Sequence, residues 1–98
     1  MLSDAELSEA LAGLSGWARE GEVIVKTYEL PTFPAAIAFV GEIAERAEAA
    51  NHHPDLDIRY RKVRVALSTH DEGGITEKDV ALATEIEGLG PSGNEAAT

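Results

Sequence analysis

From Leu56 to His70 the chain alternates apolar and polar side chains twice in succession, and this pattern restricts its fold more than any other feature. Leu56, Ile58 and Tyr60 alternate with Asp57 and Arg59, and Val63, Val65, Leu67 and Thr69 alternate with Arg64, Ala66, Ser68 and His70. A period of two sends successive side chains to opposite faces of a strand, so both runs read as half-buried strands. Only Arg61-Lys62 lies between them, which predicts a tight turn and an antiparallel hairpin, although that dipeptide is not a favoured type I′ sequence. A second hairpin is expected upstream. There Trp17 begins an extended segment that turns at Glu20-Gly21-Glu22 and returns as Val23 to Leu30.

Helical signals fill the remaining segments. Ser3 and Glu6 have capping-box spacing, Leu2 and Leu7 occupy staple positions, Leu11 and Leu14 continue the apolar face, and Gly13 and Gly16 stop the helix. Thr32 can cap a second, longer helix with Pro34 in its first turn. Phe33, Ile37, Val40, Ala44 and Ala47 repeat there at helical spacing, Phe39 and Ile43 widen the stripe, and Glu42, Glu45 and Arg46 form the polar side. This helix should end near Asn51, because Pro54 pushes His53 out of the helical region. Thr76 and Asp79 repeat the capping-box spacing, Ile75 can staple onto Val80, and Val80, Ala83, Ile86 and Leu89 continue a third helix. The order αββαββα predicts an α+β domain over residues 1–90, an antiparallel sheet covered on one face, and a disordered tail over 91–98.

Composition narrows the function. Ninety-eight residues, 44% of them hydrophobic, form one modest core, so self-association is an expected source of added stability. The absence of cysteine excludes disulfides, thiolate metal sites and a cysteine nucleophile. A net charge of −10 disfavours nucleic acid and anionic lipid as partners; Arg59, Arg61, Lys62 and Arg64 read as a solvated hairpin tip and strand face. No signal peptide or membrane span is evident, and a soluble, cytoplasmic protein is expected.

All three histidines fall between positions 52 and 70. Imidazoles titrate near neutral pH and can serve as both proton donor and acceptor. His52-His53-Pro54 forms a fixed corner at a helix exit that packing alone does not require, and Glu48, about one turn earlier, could orient an imidazole or bind a substrate donor. His70, alone at a strand end, would more often be an ordinary surface histidine. Adjacent histidines in an extended segment point apart and no zinc spacing is present, so no metal is expected. Gly73-Gly74 has neither Rossmann nor P-loop spacing, so no nucleotide cofactor is expected either. Asp79 has a sufficient role as the cap partner of Thr76 and is not assigned to catalysis.

The run Glu48-Ala49-Ala50-Asn51-His52-His53-Pro54, followed by Tyr60, Ser68-Thr69-His70, Gly73-Gly74-Ile75-Thr76 and Asp79, resembles the signature of the pterin-4a-carbinolamine dehydratase family. The likeness extends over roughly residues 2–89, including Gly16-Trp17 and the passage from Tyr28 to Val40. It implies a four-stranded antiparallel sheet with helices on one face, and homodimers built by joining sheet edges or homotetramers built through helices. It also implies a hydro-lyase that converts 4a-hydroxytetrahydropterin to quinonoid dihydropterin, recycling the pterin used by aromatic amino-acid hydroxylases. On that basis His52, His53 and His70 are the expected catalytic and substrate-binding set, with Glu48 orienting an imidazole or holding the pterin. Pro54 and Tyr60 are expected to be scaffold. The resemblance also carries an alternative, a non-catalytic dimerisation or assembly partner, for which the full histidine set would be unnecessary.

Overall fold

A computed structural model describes residues 1–89; the expected helix stop at Gly90 and the tail over 91–98 lie outside the described residues. The elements are α1 (Asp4–Ala12), β1 (Ala18–Glu20), β2 (Val23–Glu29), α2 (Phe33–Ala50), β3 (Asp55–Arg59), β4 (Lys62–Leu67) and α3 (Glu77–Leu89), with a short 3-10 turn at His70–Glu72 before α3. This is the α+β order read from the sequence.

Both predicted hairpins form, and β2 pairs with β4 to join them into one antiparallel sheet of order β1-β2-β4-β3. Ile24, Tyr28, Val63, Val65 and Leu67 share one face and are buried in a single core with Leu7, Phe39, Ile43 and Ile86 from the three helices. The other face carries charge, including an Arg64–Glu20 ion pair. Caps are where the sequence put them. Ser3 and Glu6 bond reciprocally at the start of α1, and the Thr32 hydroxyl accepts the Ala35 N–H at the start of α2.

Four expectations change. The β3–β4 turn is Tyr60-Arg61 rather than Arg61-Lys62, because Lys62 is already in register with Arg59 on one side and Glu29 on the other. Tyr60 is therefore not a strand residue; it is exposed and sits in the left-handed region at φ 55°, which a bulky side chain enters only under constraint. Strand β4 stops at Leu67, so His70 belongs to the 3-10 turn and not to a strand end. On α2, the residues that reach the core are Ala36, Phe39, Ile43 and Ala47, while Phe33 and Ile37 of the expected stripe are 47% and 45% exposed. The apolar arc of α2 is wider than one sheet face can cover, and the sheet takes the side that Phe39 and Ile43 occupy. On α3 the same selection buries Leu82 with Ala83 and Ile86 and leaves Val80 and Leu89 at the margin.

Candidate active site

The end of α2 sets the first wall of the site. Asn51 adopts the left-handed conformation, φ 52°, which asparagine tolerates better than most residues, and the His52 N–H closes back onto the Ala47 carbonyl at 3.0 Å. The chain thus leaves the helix sharply, and Pro54 keeps it extended into β3. His52 turns inward and is only 11% exposed; its neighbour His53 turns outward and is 57% exposed. Adjacent histidines do point apart, as extended backbone requires.

The second wall is the loop after β4. Thr69 and Gly74 exchange backbone hydrogen bonds, at 2.9 and 3.4 Å, and pinch off a loop whose tip is the 3-10 turn. Gly73 at φ 74° makes the return possible. His70 projects from this loop. Together the two walls enclose an open pocket of about 300 Å³, bordered by His52, His53, His70, Ser68, Thr69 and Lys78 among others. The three histidines from two distant stretches of sequence therefore share one cavity.

Glu48 is placed differently from the rest. Its carboxylate meets His53 Nε2 at 2.9 Å, at the exposed edge of α2, and does not reach His52. An exposed pair of this kind contributes little to stability.

The inward imidazole has another partner. His52 Nε2 lies 2.5 Å from Asp79 Oδ1, and Asp79 is fully buried. The other oxygen, Oδ2, accepts the Thr76 N–H at 2.9 Å, the cap expected from the spacing, and also the Thr69 hydroxyl at 2.9 Å. The cap is real but accounts for only one contact of this carboxylate. Asp79 lies on the same face of α3 as Leu82, Ala83 and Ile86, and an acid on an apolar face was the available signal that it serves more than a helix end. Lys78, the one lysine or arginine that borders the pocket among the described residues, was also not anticipated. Among the described residues no group of three or more His, Asp or Glu side chains is arranged to hold a metal ion, and no helix is long and apolar enough to cross a membrane.

A three-helix, four-strand α+β domain of this element order matches a known group. The family model for pterin 4 alpha carbinolamine dehydratase covers residues 1–89, and the chain belongs to that family. A relative from Roseiflexus sp. (strain RS-1), provisionally named pterin-4-alpha-carbinolamine dehydratase, is 60% identical over 86 residues, spanning 88% of this chain and 92% of its own. The crystal structure of a transcriptional coactivator/pterin dehydratase from Brucella Melitensis superposes with a TM-score of 0.88 at 34% identity, covering 91% of this chain and 97% of that one. A pterin dehydratase-like protein described as a RuBisCO assembly factor in the alpha-carboxysome shares the fold, with a TM-score of 0.65 at 21% identity over 76% of this chain and 88% of its own.

Proposed function

We propose that this protein dehydrates 4a-hydroxytetrahydropterin to quinonoid dihydropterin by histidine acid–base catalysis, as a step in tetrahydropterin recycling. The observation that carries the reading is the convergence of His52, His53 and His70 on one pocket. The reaction needs two proton movements and no redox change. A proton delivered to the 4a-oxygen lets the C–O bond break and water leave, and a proton withdrawn from the pterin ring lets the electron pair close the new double bond. Neutral and protonated imidazoles can supply both, with no metal or nucleotide in the scheme. His52, with its buried carboxylate, and His70, on the opposite loop, are suited to those movements. His53 and Glu48 are suited to holding the pterin at the rim.

The quaternary unit that goes with this reading is a homodimer or homotetramer. Strands β1 and β3 are both sheet edges, and the exposed Phe33 and Ile37 of α2 offer an apolar strip. That strip is also the feature that favours the second reading, a dimerisation or assembly partner without catalysis; the histidine pocket favours the enzyme.

A stable dihydropterin tests the site. Added to the protein and followed by NMR, it should shift the ring signals of His52, His53 and His70 together. Shifts confined to the α2 surface around Phe33 and Ile37, or no shifts at all, would move the assignment to the non-catalytic reading.

A further inference from the structure

We infer that Asp79 is a positioning residue that fixes the His52 ring and its tautomer, so that Nδ1 is the nitrogen His52 offers to the bound substrate. The directions of the hydrogen bonds lead to this. Thr69 donates its single hydroxyl hydrogen to Asp79 Oδ2. The 2.7 Å contact between the Thr69 and Thr76 hydroxyls must then run from Thr76 to Thr69, and Thr76 in turn accepts the Lys78 N–H at 3.2 Å. Every group in the chain points its hydrogen toward the carboxylate, and the Thr76 N–H adds another. Asp79, accepting the Thr69 hydroxyl and the Thr76 N–H and fully buried, is arranged as an acceptor, so the hydrogen between it and His52 resides on Nε2.

The other nitrogen completes the argument. Among the described residues Nδ1 of His52 has no hydrogen-bond partner, and no buried side-chain nitrogen or oxygen lacks one. Nδ1 is therefore accessible, and the opening that His52 borders is the pocket. In the neutral ring Nδ1 carries the lone pair. When a proton arrives there, the Nε2 hydrogen stays directed at the Asp79 carboxylate and the ring keeps its orientation. Thr69 and Thr76 keep the carboxylate from rotating away. A residue whose spacing reads as a helix cap thus ties the start of α3 to the chemistry at the end of α2.

The turnover arm of the test rests on the dehydratase reading; the spectroscopic arm does not. Asp79→Asn keeps an acceptor for Thr76 and Thr69 through its amide oxygen but presents an N–H₂ to His52, which should drive the ring to the opposite tautomer. Nitrogen-15 spectra of the neutral ring should show His52 protonated at Nε2 in the wild type and at Nδ1 in Asp79→Asn. Carbinolamine turnover in Asp79→Asn should fall roughly tenfold or more in kcat, with KM little changed, short of the ~10² to 10⁴ that a proton-transfer group itself contributes. The same substitution made on top of His52→Ala should produce no further fall. An unchanged tautomer, or an equal loss with and without His52, would overturn the inference and leave Asp79 as a helix cap only. If wild-type protein shows no turnover, the dehydratase reading fails and the tautomer alone decides the role of Asp79. Should Asp79→Asn fail to fold, Thr69→Val removes one donor to the carboxylate while keeping the side-chain shape; it should perturb the Nε2-bound proton signal of His52, and an unperturbed signal counts against the inference.

Discussion

Helix α3 carries a carboxylate toward the sheet near each of its ends, and the two have different fates. Asp79, in the first turn, meets His52, Thr69 and the Thr76 N–H. Glu87, near the last turn, meets the Trp17 indole at 3.1 Å, the Lys26 ammonium at 2.9 Å and the Tyr28 hydroxyl. Both tie α3 to elements distant in sequence. Around Glu87 every partner is structural: Tyr28 packs edge-on against Trp17 and Phe39, and the Lys26 ammonium sits 4.8 Å from the Tyr28 ring. Around Asp79 one partner is an imidazole whose second nitrogen is open. The same device therefore fastens the fold at one end of α3 and, in the proposed function, orients a proton-handling imidazole at the other.

Electrostatics separate the two ends as well. Burial alone would raise the Glu87 carboxyl, but hydrogen bonds from Tyr28, Lys26 and Trp17, together with the Lys26 charge, outweigh it and hold the group below the usual carboxylate range. Burial first, and then the Glu87 carboxylate, push the Tyr28 hydroxyl well above its ordinary value. Around neutral pH this end is a charged carboxylate beside a neutral phenol and offers no proton to chemistry, so substitutions that affect one end alone sharpen the comparison.

The larger effect is expected at the fastening end. Glu87→Gln removes a charge that three donors converge on and should destabilise the domain by about 1.5 to 3 kcal/mol in chemical denaturation, with kcat for the carbinolamine unchanged. The sign of its pH dependence follows from the lowered carboxyl. The stability Glu87 contributes is fully present above the unfolded carboxylate range and is lost as pH falls through the folded value, so wild type and Glu87→Gln should converge in acid. A gap that stays constant into acid would break the assignment. The smaller effect is expected at the rim, where Glu48→Gln disturbs only an exposed pair and should change stability by less than about 0.5 kcal/mol. A large loss there would mean that Glu48 belongs to the scaffold rather than to the pocket edge.

Much of this was legible in the sequence. Period-two alternation identified β3 and β4, the Glu20-Gly21-Glu22 turn marked β1 and β2, capping residues placed three helix starts, and the Asn51–Pro54 corner marked the exit from α2. These signals are local, and local backbone preferences decide them. The misplaced features depend on tertiary partners. Tyr60 alternates correctly with β3 but lies in the turn because β4 is registered against β2 as well as β3. Phe33 and Phe39 are equally apolar on α2, and only the position of the sheet chooses between them. The histidines and Glu48 stand out by clustering, but the pairing of ring with carboxylate depends on tertiary placement: Glu48 is one turn before His52 yet meets His53, and Asp79 makes the cap its spacing predicts and also meets His52.

If the pocket between α2 and the Thr69–Gly74 loop performs proton chemistry on a pterin carbinolamine, as proposed, turnover reports it. Decay of 4a-hydroxytetrahydropterin, followed by absorbance, should be accelerated by the wild-type protein. His52→Ala, His53→Ala and His70→Ala should each slow it while remaining folded, with at least one loss of roughly 10² or more. Three folded variants that turn over the carbinolamine at the wild-type rate would contradict the claim.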